Sequence, residues 1–150
     1  MIQRIQSVYI LIATLLAVLM LFLPWVTYNT ESTSLVFSVF GEDSAGTKSA
    51  NLLVSIAISV VLSLVSLFLF SDRKKQMKLV RFTMIFMVLT FINFGVLHYL
   101  NIENIAAEGE LSMSYGISPA FILVNLVLLW LANKAIKKDD DLIRSVERLR

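Results

Sequence analysis

Long apolar runs alternate with short polar ones along this chain. The apolar runs cover about Ile5–Trp25, Leu52–Phe70, Leu79–Leu100 and Ile117–Ile136, and no Asp, Glu, Lys or Arg lies deep in any of them. Each is close to the roughly 20 residues that a helix needs to cross a hydrocarbon core. The pattern predicts an all-α membrane protein: four transmembrane helices in an antiparallel bundle, forming a single domain over residues 1–150. Pro24 marks the end of the first helix, and Pro119 suits the first turn of the fourth, where its missing N–H costs nothing.

The linkers carry a second pattern. "SLVFSVFGED" is rich in β-branched and aromatic residues and ends at a glycine with acidic neighbours, which reads as a short strand. In "GELSMSYGIS", Leu111, Met113, Tyr115 and Ile117 alternate with polar or small residues, the period of a strand. A lone hairpin is marginal in water, so the two are expected to pair with each other and form a small extracytoplasmic β element on the helix ends. The last fourteen residues, "KKDDDLIRSVERLR", read as a short cytoplasmic amphipathic helix. Leu142, Ile143, Val146 and Leu149 share its apolar face, with Asp139–Asp141 at its start and Arg144, Arg148 and Arg150 toward its end, an order that complements a helix dipole. A free helix this short must dock to persist, so Leu142, Ile143, Val146, Leu149, Arg144 and Arg148 are candidates for contact with a partner or the membrane surface. The plainer reading is a tail that extends the fourth helix.

Composition agrees with the pattern, at 57% hydrophobic and 16% charged, outside the usual range of soluble domains. The distribution of charge then sets an orientation. Twelve of the thirteen Lys and Arg residues flank the two termini and the middle linker, where Arg73, Lys74, Lys75, Lys78 and Arg81 form a basic loop; Lys48 is the exception. The positive-inside rule puts both termini and that loop in the cytoplasm. Five acidic residues lie on the same side, for a net +7, and six on the other, for a net −5. The basic face suits anionic lipid more than nucleic acid. Trp25, Tyr28, Tyr99, Tyr115, Tyr9 and Trp130 fall near the predicted helix ends and are expected to form interfacial belts. The first run is read as retained, because "LPWVTYNT" places bulky residues where a signal peptidase needs small ones.

Candidate chemistry is sparse. Cysteine is absent, which excludes disulfides and thiol chemistry. No HExxH, glycine-rich phosphate loop or paired intramembrane carboxylates occur, and His98 is the sole histidine; its plain reading is a hydrogen-bonded residue beside Tyr99. No catalytic residue, metal site or cofactor is expected, although the outer carboxylates could in principle meet around a divalent cation. Ser55, Ser59, Ser63 and Ser66 fall on one face of the second helix. Such a stripe usually serves close helix contact in lipid; the sharper reading is a polar transport path.

The opening "MIQRIQSVYILIATLLAVLMLFLP", the basic "RKKQMKLVR" and the closing "LANKAIKKDDDLIRSVERLR" resemble a family of small four-helix inner-membrane proteins of Bacteroidota, known only as a domain of unknown function. That resemblance implies four membrane helices and cytoplasmic termini, and carries no catalytic or binding residues with it. The residues themselves point to a non-enzymatic accessory or scaffold subunit of a larger inner-membrane assembly, such as one in protein export or envelope biogenesis, whose partners are membrane lipids and other inner-membrane proteins. The alternative is a small self-associating transporter or channel lined by the serine face. A lipid-modifying or hydrolytic enzyme at a membrane face is a third reading, with His98 and the outer carboxylates as its only material.

Overall fold

The computed structural model of the protein describes residues 5–29, 34–40, 46–69, 71–105 and 112–148. Four helices, α1 (Ile5–Phe22), α2 (Gly46–Phe68), α3 (Arg73–Ile105) and α4 (Ser118–Arg148), are joined by linkers that contribute strands β1 (Val26–Asn29), β2 (Ser34–Phe37) and β3 (Ser112–Tyr115). All four helices are long and apolar enough to cross a membrane; α1, with 18 residues, spans about 27 Å.

The helices form a ring in which α1 and α3 each pack on α2 and α4. Cross-helix hydrogen bonds set their directions. Asn125 Nδ2 on α4 donates to the Ala13 carbonyl of α1, while Ser118 Oγ donates to the Leu23 carbonyl, so the two helices run antiparallel. Thr90 Oγ1 on α3 donates to Ser55 Oγ on α2, and Gln76 Nε2 donates to the Ser66 carbonyl, which makes that pair antiparallel too. One end of the ring carries the chain termini, and the other carries the sheet.

The exterior is apolar: Leu11, Leu15 and Phe22 of α1, Val61 and Phe68 of α2, Phe82 and Ile92 of α3, and Leu123 and Val127 of α4 are exposed. Inside, Gln6, Thr14, Ser55, Ser59, Ser63, Ser66, Gln76, Thr83, Thr90 and Asn125 are buried. Polar side chains thus turn inward and apolar ones outward, the distribution suited to a hydrocarbon solvent. Two apolar clusters fill the remaining core. One, near the sheet, gathers Met20, Trp25, Val26, Tyr28, Leu52, Phe94 and Ile122; the other gathers Ile10, Ala13, Ala17, Val80, Met87 and Leu129 around the middle and termini end.

The sheet differs from the expected hairpin. β2 and β3 form where the sequence places strands, but they do not pair with each other: both pair antiparallel with β1, in the order β2-β1-β3. β1 supplies the missing central strand. It forms because Pro24 ends the helical backbone and the next residue is captured on both sides, with the Trp25 N–H donating to the Phe37 carbonyl and the Trp25 carbonyl accepting from the Gly116 N–H, each at 2.9 Å. Trp25 and Tyr28 are consequently buried, at 0% and 2% exposure, which corrects the expectation of interfacial rings. Trp25 Nε1 donates to the Met20 carbonyl at 3.0 Å, and its ring lies 5.0 Å from that of Phe94. Tyr99, Tyr115 and Trp130 are exposed.

Helix boundaries also differ, among them the start of α2 at Gly46 and the end of α3 at Ile105. The basic segment is helical from Arg73 onward, so the linker between α2 and α3 shrinks to residues 69–72. Arg, Lys, Gln, Met and Leu are good helix formers, and Asp72 caps them: the Lys75 N–H donates to Asp72 Oδ1 at 3.2 Å, and the Gln76 N–H to the Asp72 carbonyl at 2.9 Å. The predicted C-terminal helix is not separate either, because α4 runs unbroken to Arg148. Nothing between Ala132 and Asp141 breaks a helix, as the change from apolar to charged residues alters the solvent without altering backbone preference. Asp139–Asp141 therefore lie within a helix and do not start one.

Candidate functional site

At the sheet end, β1, β3 and α3 bring together two tyrosines and the single histidine. The Tyr28 hydroxyl lies 2.7 Å from His98 Nδ1, and His98 Nε2 lies 3.0 Å from the Tyr115 hydroxyl. A neutral imidazole has one N–H and one lone pair, so one phenol donates to the ring and the other accepts from it. The Phe94 ring stacks on His98 at 5.7 Å. Burial raises the Tyr28 pKa, a hydrogen bond to the Asn101 side chain opposes the rise, and the nearby Tyr115 adds to it. Both histidine nitrogens face phenols, and the arrangement ties two strands to a helix. Tyr99, next to His98 in the chain, is 65% exposed.

The serine face of α2 lies inside the ring. Ser55, Ser59, Ser63 and Ser66 are between 0% and 6% exposed. Two of the hydroxyls bond across helices, Ser63 with Thr14 of α1 at 2.9 Å and Ser55 with Thr90 of α3 at 3.0 Å, and Ser59 donates back to the Ser55 carbonyl. On the outer side of the same helix pair, a groove of about 280 Å³ is lined by Asn51, Val54, Ser55, Ile58, Phe86 and Leu89.

At the termini end, Lys74, Lys75, Lys78 and Arg81 project from α3; Lys75 pairs with Asp72 at 3.1 Å, and the other three have no ion pair among the described residues. Arg73 Nη1 donates to the Asp139 carbonyl at 2.8 Å, which fastens the start of α3 to α4. Lys134 Nζ sits 5.3 Å from the Trp130 ring, within cation–π range. Beyond this contact α4 projects onward, with Leu142 and Ile143 at 56% and 44% exposure. The side chains of Arg144, Val146 and Arg148, and the whole of Leu149, lie outside the described residues, as do the side chains of the outer acids Glu31, Glu42, Asp43, Glu103, Glu108 and Glu110. Among the described residues no group of three His, Cys, Asp or Glu could hold a metal ion.

Sequence reasoning did not single out Gln6 and Gln76. Each borders an apolar run next to cations, where a polar residue reads as interfacial, yet they are 1% and 0% exposed.

These features define a mostly helical protein with an apolar exterior, an interior of hydroxyls and amides, and a three-stranded sheet at one end. Residues 2–149 match the family described as Domain of unknown function (DUF4293), and the chain belongs to that family. Comparison with curated proteins gives no match.

Proposed function

We propose that the chain is a multi-pass protein of a bacterial inner membrane, in a Bacteroidota-type envelope, with both termini and the basic start of α3 in the cytoplasm. It serves there as a non-enzymatic accessory or scaffold subunit of a larger assembly, such as one in protein export or envelope biogenesis. The observation that carries this reading is the projection of α4 past the bundle with Leu142 and Ile143 exposed. Apolar side chains on a polar, charged helix are what a docking surface requires. The neighbouring cations of α3 suit anionic lipid, at about 1 kcal/mol per well-placed charge. The cross-helix bonds of Ser55 and Ser63 support a packing role over a solute path along that face. Neither ring nitrogen of His98 faces away from a phenol, which supports a structural histidine over a catalytic base.

Extraction in mild detergent followed by mass spectrometry of co-purifying proteins tests the proposal. A defined set of membrane partners is expected with the native chain and is lost with Leu142→Asp/Ile143→Asp, while the variant still accumulates in the membrane. Recovery of a partner-free monomer, or unchanged partners with the variant, would overturn it.

A further inference from the structure

The termini end of the ring holds polar atoms that the protein leaves without partners. Gln6, Ser66 and Gln76 are at most 1% exposed. Among the described residues, Gln6 Nε2 and Oε1, Ser66 Oγ, Gln76 Oε1 and Asn133 Oδ1 are buried and make no hydrogen bond. A buried polar group without a partner forfeits its full hydration, and several orphans gathered at one end call for a common explanation.

Their depth follows from the contacts. Asn125 of α4 donates to the Ala13 carbonyl of α1. Gln6 lies seven residues back along α1, about 10 Å, and Asn133 eight residues onward along the antiparallel α4, about 12 Å, so the two amides are nearly level. Gln76 of α3 reaches the Ser66 carbonyl of α2 at 3.1 Å. The Thr14–Ser63 hydrogen bond relates the two pairs: by helix rise Ser66 lies about 7 Å nearer the sheet than Gln6, so each helix of the ring contributes one polar side chain to this end, staggered along its axis.

The chemistry of the atoms selects their occupant. Gln76 has its amide orientation set by donating to the Ser66 carbonyl, which leaves its oxygen buried without a donor. Oxygens outnumber available N–H groups, so an anion would only add acceptors. A cation would suit the oxygens, but the cluster contains no carboxylate. The described side chains around it also include Arg73, Lys74, Lys75, Lys78, Arg81, Lys134, Lys137 and Lys138 against Asp72, Asp139, Asp140 and Asp141, a net positive field that disfavours a cation. A small neutral molecule able to donate and accept remains. Water fits, since a buried water typically makes about three hydrogen bonds to otherwise unpartnered groups.

We propose that the termini end of the ring is a binding site for buried water, held between Gln6, Ser66, Gln76 and Asn133. Trp25, Met20, Ile56, Phe94 and Ile122, all buried and apolar, close the opposite end, so water enters from the basic end and does not traverse the bundle. Asn125 Oδ1, about 12 Å deeper than Asn133 by helix rise, is the one remaining buried side-chain atom without a partner among the described residues.

A double-mutant cycle on the purified full chain in nanodiscs tests this. Gln6→Met and Gln76→Met are each expected to lower Tm by several degrees, and the double variant by less than their combined effect, because shared water couples the two sites. A rise in Tm with Gln6→Met would overturn the proposal, since removing an amide from a dry site relieves a penalty without losing a bond. Additive losses would overturn it as well, as they mark two independent packing defects. Exchange of sodium or potassium chloride for choline chloride at equal ionic strength is expected to leave Tm unchanged; a cation-specific increase replaces water with an ion. In a high-resolution density map of the native chain, peaks about 2.7–3.2 Å from Gln6 Oε1 and Gln76 Oε1 are expected, and an ordered but empty site would overturn the proposal without recourse to any variant.

Discussion

Gly116 shows how little room the sheet junction leaves. Its N–H donates to the Trp25 carbonyl at 2.9 Å, and a Cβ on it would collide with the Pro24 carbonyl oxygen and lie 2.8 Å from the Pro24 carbonyl carbon. Both obstacles are backbone, so no rotamer change relieves them. Gly116→Ala is expected to destabilise the protein by about 1–3 kcal/mol, as overpacked sites do, with a fall in Tm of at least ~2 °C in a detergent thermal scan. Asp72 gives a pH signature instead. The Lys75 backbone N–H, followed by the Lys75 side chain, lowers its carboxyl pKa below the ordinary 3.8. A lowered folded pKa favours the ionised form in the folded state. The stability it contributes is present above the ordinary pKa and is lost as pH falls through the folded value. The Tm advantage of the native chain over Asp72→Asn should therefore hold at neutral pH and vanish in strong acid; a difference that persists below the carboxylate range would assign the effect to something other than ionisation. Residue environments were the least legible part of the sequence. Trp25 and Tyr28 have the composition and position of belt aromatics, and only the capture of β1 between two other strands, a contact with residues far along the chain, draws them inside.

At the scale of elements, apolar runs located all four helices but not their ends. Lipid-facing residues reveal where hydrocarbon begins and ends, whereas a helix ends where its backbone loses partners; in α3 and α4 these two limits are many residues apart. Asp72 starts α3 well before its apolar stretch, and α4 continues through "KAIKKDDD" because no glycine or proline interrupts it. The strands show a complementary limit. β2 and β3 lie in linkers that carry a local signal of alternating or β-branched residues, while β1, no shorter than they are, directly follows the first apolar run and is revealed by its neighbours. Continuity of α4 is measurable with spin labels, since the chain has no native cysteine to remove. Val127 and Leu142 are both exposed, and fifteen residues of unbroken helix separate them by about 22 Å. Labels on Val127→Cys/Leu142→Cys are expected to give one narrow distance distribution near that value. A broad or shorter distribution would mean that the tail folds back as an independent helix.

For the molecule as a whole, the decisive property is the inversion of polarity between surface and interior. In a soluble bundle the hydroxyls and amides of Thr14, Ser59, Thr90 and Asn125 would face water; here they are buried, and the outward residues are Leu, Val, Ile and Phe. The serine stripe was legible because its spacing is a property of one helix. Its partners Thr14 and Thr90 were not, because they depend on which helices adjoin, and the water site proposed above arises only when four helices each bring a side chain to the same end of the bundle. The proposed orientation follows from charge, with the start of α3 and the exit of α4 on the side that retains cations, and it can be tested with the fold intact. Ser71, between α2 and α3, and Ser112, in β3, are both exposed and stand at opposite ends of the ring. A membrane-impermeant maleimide added to spheroplasts is expected to label Ser112→Cys at once and Ser71→Cys only after the membrane is opened. The opposite order would invert the orientation, and immediate labelling of both would be incompatible with four spans, since a bundle that separates two aqueous compartments cannot present both of its ends to one of them.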